Sequence, residues 1–335
     1  MRDARLLVRL LRDPSCALEV RDWTALLSAA RAEALAGSLA FRLRGLDLPA
    51  GVALLLEDAR RAAEQGRQEA LWEAEMARRA LAPLGVPVIL LKGTAYAAAG
   101  LSPAVGRSIG DLDILVPRAA LPRVEQALLA AGWEWVKEDG YDDLYYRRWM
   151  HELPPLIHRE RDRMIDVHHT ILPLTARPTP DAEGLVAASV PLENGLRVLS
   201  PADMIVHASA HLFADGDLAG GLRNLWDIDR LLSDFAPRGD EFTAELRERA
   251  SAHDLIPAVA RALRLARALF GTEVDSRLAG RPRLSDRLFI RRLLARDEWG
   301  RERRRVIRLA FYVRSHWLRM PPAMLARHLW TKARR

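Results

Sequence analysis

Residues 87–116, PVILLKGTAYAAAGLSPAVGRSIGDLDILV, constrain the fold of this 335-residue chain more than any other stretch. They hold two short apolar runs, Val88-Ile89-Leu90-Leu91 and Ile114-Leu115-Val116, whose length and branching predict buried strands. The first run ends in Lys92-Gly93-Thr94 and enters an alanine-rich helical turn; the second follows Arg107-Ser108-Ile109-Gly110 and opens with Asp111-Leu112-Asp113. On a strand, side chains alternate, so Asp111 and Asp113 share one face and Leu112 takes the other. Two neighbouring carboxylates repel, and each is costly beside a hydrophobic core. A divalent cation is the usual reason to place them there, and Mg²⁺ normally shares such oxygen ligands with substrate phosphates.

The turn after the first strand has matching chemistry. Gly93 lets backbone approach a phosphate, and the helix that follows offers unpaired N–H groups. Thr94 adds a hydroxyl donor and Lys92 a point charge. Arg107, four residues before Asp111, is placed either to meet a terminal phosphate or to fix the carboxylates.

The order of strand, Lys-Gly-Thr, helix, Arg, Gly and Asp-x-Asp resembles the DNA-polymerase-β-like nucleotidyltransferase superfamily. More narrowly, LLKGTAY, RSIGDLDILV and MIDVHHTI are similar to the uncharacterised nucleotidyltransferase family of bacteria, over roughly residues 20–300. The resemblance implies a third carboxylate, Asp166, on a later strand. It implies that Asp111, Asp113 and Asp166 hold two Mg²⁺ ions, and that Lys92, Gly93, Thr94, Arg107 and His168 bind the nucleotide. Alternation puts His168 on the Asp166 face and His169 on the other. The gap from Thr94 to Asp111 is longer than in compact members of the superfamily.

The net charge of +7 is unevenly placed. Residues 301–335 carry eleven Lys and Arg against one acid, Glu302, a net +10, whereas the first 300 carry 40 basic and 43 acidic residues, a net −3. A slightly acidic body argues against long nucleic acid as a partner and for a small-molecule or protein acceptor. The basic and aromatic segment 301–335 suits an anionic membrane surface, an acidic partner, or docking on the body itself. One cysteine, Cys16, excludes an internal disulfide and a thiolate cluster, and suits a cytoplasmic location. MRDARLLVRLLRDPS interrupts its apolar stretch with charges, so neither a signal peptide nor a membrane span is expected.

Taken in order, residues 3–12, 22–44 and 52–84 read as helices, with Asp22 or Thr24 as a cap and Gly45 as a stop. A helix over 118–131 ends at Gly132. Strands are expected at 133–136, 145–157 and 163–171, the last two joined by a charged turn at 159–162. Residues 172–200 read as a linker. Ser200-Pro201 starts a series of helices at 201–214, 221–235, 239–253, 255–271, 283–297, 301–319 and 322–333. The expected architecture is α/β: an N-terminal helical segment (1–84), a nucleotidyltransferase core with a mixed sheet (85–200) and a C-terminal helical domain with a basic tail (201–335).

His207 and His211 have the i, i+4 spacing of zinc pairs, but Ala208 replaces the glutamate of a metalloprotease motif, so core packing and cleft lining stand ahead of a zinc pair. Asp227 and Asp229 match the family pattern and read as helix-orienting groups. No Ser-His-Asp triad, Walker loop or dinucleotide fingerprint is legible. The expected activity is Mg²⁺-dependent transfer of a nucleoside monophosphate from an NTP to an acceptor, with pyrophosphate release. Its alternatives are a silent NTP-binding regulatory module and a partner- or membrane-binding protein acting through the tail.

Overall fold

The computed structural model describes residues 4–137, 146–319 and 330. Its N-terminal layer is helical: α1 (Arg5–Arg12), α2 (Trp23–Ala32), α3 (Ala36–Arg42) and the long α4 (Ala50–Leu81). Asp22 caps α2, accepting from the Ala25 N–H at 2.9 Å. The single helix expected over 22–44 is broken between α2 and α3, where Ala34 takes a positive φ of 52°. Both flanking helices thereby bury their leucines.

Seven strands then form one mixed sheet: β1 (Ile89–Leu90), β2 (Leu112–Leu115), β3 (Trp133–Trp135), β4 (Leu156–His158), β5 (Met164–His168), β6 (Val190–Pro191) and β7 (Arg197–Val198). Their spatial order is β3-β4-β5-β2-β1-β7-β6. The pairs β2–β5 and β1–β7 are parallel and the others antiparallel. Central positions Ile89, Leu90, Ile114, Leu115 and Ile165 are buried, as the continuous apolar runs require. Helix α5 (Lys92–Ala98) follows β1, and α6 (Leu121–Ala130) links β2 to β3. Gly132 ends that link at φ +100°, and a Cβ there would stand 2.9 Å from His158 Nε2.

Two expectations fail here. Residues 146–149 are helical and the strand β4 begins only at Leu156, so 145–157 is not one strand. The prolines there remove ladder donors. The supposed linker 172–200 instead holds α7 (Ala182–Ala187) and the β6–β7 hairpin, whose second strand extends the sheet beside β1. Those strands are two residues each, too short to leave a period in the sequence.

The C-terminal part comprises α8 (Pro201–Ala210), α9 (Gly221–Phe235), α10 (Gly239–Ala252), α11 (Ile256–Phe270), α12 (Ser276–Ala279), α13 (Asp286–Leu293) and α14 (Arg305–Arg319). Ser200 caps α8, its Oγ accepting from the Asp203 N–H at 3.2 Å. A π-helical turn, His211–Asp215, replaces the last turn expected of α8. The expected helices at 283–297 and 301–319 are shorter, and the one at 322–333 lies outside the described residues apart from Trp330. Helices α8–α11 pack on one another, and α9 also packs on the turn at Ser102–Ala104, beside the loop that leads into β2. No helix among the described residues is long and apolar enough to cross a membrane.

Candidate active site

The parallel pairing of β2 with β5 sets Leu112 against Ile165, Asp113 against Asp166 and Leu115 against His168. Two carboxylates from segments some fifty residues apart thus occupy neighbouring positions on one sheet face. Asp113, Asp166 and His168 each offer a ligand atom, all within 4.8 Å of one another. His168 repeats the face of Asp166, as alternation requires. Asp111 precedes β2 and is exposed, so it lies at the mouth of this group and not on the strand.

Electrostatics tie these groups together. Asp113 is buried, which raises its pKa, but Lys92 and His168 outweigh burial and hold the carboxyl far below the usual range. Lys92 Nζ donates to Asp113 Oδ1 at 2.6 Å, and His168 Nε2 lies 3.0 Å from the same oxygen. Asp166 moves the other way: burial, then the charge of Asp113, raises it. Asp111 is raised by the same two causes. Carboxylates pushed upward beside a depressed one form a site short of positive charge. The donors are chiefly carboxylate oxygens with one imidazole, a set that fits a divalent cation. Asp113 and Asp166 would hold it, with Asp111 at the open side.

A second carboxylate neighbour escaped the sequence reading. Glu152 forms an isolated antiparallel bridge with His168, and its Oε2 lies 3.3 Å from His168 Nδ1. Burial, with Asp166 and Asp113 adding to it against His168 and Lys92, lifts Glu152 to about 7. His151 stacks 5.1 Å from His168 and also joins a possible ligand group with Glu152 and His168. Nothing in the local pattern announces Glu152, because the segment carrying it is irregular.

The turn after β1 is built differently from expectation. Lys92 has a positive φ of 49°, a strained conformation for a side chain other than glycine's. Its amine reaches Asp113. Gly93 is required by an arginine: a Cβ there would come within 2.5 Å of Arg107 Nε. The Thr94 hydroxyl is buried without a hydrogen-bond partner among the described residues. Arg107 is ion-paired to Asp227 of α9 and lies 5.8 Å from the centre of the Tyr96 ring. Asp227 also accepts from Arg223 Nε at 2.9 Å, and Asp229 accepts from Thr272 at 2.6 Å. The structure thus brings together Lys92, Asp113, Asp166 and His168, sets Asp111 at their edge, and binds Arg107 into the interface with the C-terminal helices.

Helix α8 contributes His207, which is buried; burial, then the positive charge of Lys92, holds its pKa well below the ordinary value. His207 and His211 belong to neither of the possible ligand groups of three among the described residues.

A family whose description is uncharacterised nucleotidyltransferase matches residues 19–271. No curated protein matches the chain.

Proposed function

The chain belongs to the uncharacterised nucleotidyltransferase family, and from that membership we propose that it transfers a nucleoside monophosphate from an NTP to a small-molecule or protein acceptor, releasing pyrophosphate. The observation that carries the reading is the register of β2 on β5, with Asp113 beside Asp166 and Asp111 two residues upstream. Bound Mg²⁺ would neutralise the triphosphate and lower the pKa of the attacking group. Asp113 and Asp166 would hold the metal from the sheet face, and Asp111 from the cleft. Lys92 keeps Asp113 ionised before any metal arrives. Because its amine contacts Asp113 directly, Lys92 can turn to a phosphate oxygen when a cation takes over that carboxylate. His168 orients Asp113 through Nε2. Arg107, ion-paired to Asp227, ties the turn after β1 to α9.

The test incubates the protein with each of the four α-³²P-labelled NTPs, Mg²⁺ and cell extract. Label should move to an acceptor with wild type and fall by at least about a hundredfold for Asp111→Ala/Asp113→Ala, a loss of about 2.7 kcal/mol in barrier terms. Transfer that survives the double substitution overturns the site.

A further inference from the structure

Helix α14 has an inner and an outer face. Inside, Phe311 is buried edge-on against Phe289, with ring centroids 4.9 Å apart, and Arg314 donates to the Phe213 carbonyl oxygen at 2.8 Å. The end of the helix is fastened by the Thr175 hydroxyl, which donates to the Arg319 carbonyl oxygen at 2.5 Å, and by the Arg177 N–H, which donates to the Leu318 carbonyl oxygen at 3.2 Å; the Arg177 guanidinium lies over one face of Trp317 at 4.4 Å. Outside, Val306, Ala310, Val313 and Trp317 recur three or four residues apart and make one stripe, with Leu309 beside it. Val306 is 82 % exposed, Leu309 62 % and Trp317 43 %. A helix that already buries one side has no folding reason to present apolar side chains on the other.

Charge identifies what would cover this face. Exposed Arg301, Arg303, Arg304, Arg305 and Arg308 surround the stripe's N-terminal end. Glu302 pairs with Arg292 at 3.0 Å and with Arg308 at 3.4 Å, and Asp297 lies within the field of Arg301 and Arg303, which leaves Arg304 and Arg305 without an acidic partner among the described residues. The segment's net +10 sits on a body of net −3. Arginines alone would suit any polyanion; arginines around a Val-Leu-Trp stripe suit a surface that is anionic outside and apolar a few ångströms below. Beside the Thr175 anchor lies an apolar pocket of about 750 Å³, lined by Leu172, Leu174, Pro180 and Val186.

We infer that the outer face of α14 docks on an anionic lipid surface, laying Val306, Leu309 and Trp317 into the headgroup boundary under a ring of arginines. This goes beyond the transfer reaction and stands whether or not that reaction is confirmed.

The test floats full-length protein with phosphatidylcholine vesicles that contain or lack phosphatidylglycerol, at low and high salt. Association should require the anionic lipid, weaken with salt, and blue-shift tryptophan emission, a shift that Trp317→Phe reduces. Val306→Glu/Leu309→Glu, at exposed positions, should keep the wild-type melting temperature and basal transfer activity while weakening vesicle binding at least about tenfold. Arg304→Glu/Arg305→Glu should do the same. No vesicle association, or association that the Val306/Leu309 double variant retains, overturns the inference. So does equal affinity for soluble polyglutamate, which would assign the face to an acidic protein.

Discussion

Glu152 is the residue whose titration is most exposed to experiment. Its folded pKa of about 7 lies above that of an unfolded glutamate, so the native state binds a proton that the unfolded chain has released. Stability from this group is complete below pH about 4.5 and falls as pH rises through about 7. Glu152→Gln in metal-free buffer should therefore match wild type near pH 5 and exceed it by roughly 1–3 kcal/mol at pH 8, read from urea unfolding. An unchanged pH slope would remove Glu152 from the coupled group. Asp113 was legible from Asp-x-Asp, and Asp166 and His168 from the resemblance plus the two-residue period. Glu152 was not, because its approach depends on a bridge between an irregular segment and β5. Local sequence shows a glycine at a turn, but not that the Arg107 guanidinium packs where a Cβ of residue 93 would stand.

At the scale of elements, the join between the turn after β1 and helix α9 governs the site. Asp227 neutralises both Arg107 and Arg223 in a buried setting. Removing one partner of such a group leaves uncompensated charge, so Asp227→Ala should cost about 3–5 kcal/mol in urea unfolding. A loss below about 1 kcal/mol would mean that water already solvates the arginines. Long helices with clear punctuation, such as α4 and α9, were readable almost to the residue. The β6–β7 hairpin was not, since two-residue strands take their stability from the β1 edge and leave no alternation of their own. Residues 146–149 are helical although Tyr146 and Trp149 favour β structure, a preference that tertiary context overrides.

For the whole molecule, the tail cannot be treated as an appendage. Phe311 and Arg314 reach into the body, so ending the chain at Gly300 should lower the melting temperature by several degrees, whereas Val306→Glu/Leu309→Glu leaves it unchanged. Equal melting curves for truncated and intact protein would show that α14 contributes nothing to the fold. The charge partition was fully visible in the sequence; that one side of α14 is packed and the other bare was not, because periodicity marks two faces without saying which is covered. The parallel join of β2 to β5 has a further consequence for synthesis on the ribosome. Its two acidic strands are separated by α6, β3 and β4, so a nascent chain halted before residue 160 carries Asp113 without Asp166 and cannot complete the pair. Adding the missing half later, as a separate polypeptide, would have to rebuild the middle of a sheet instead of extending its rim.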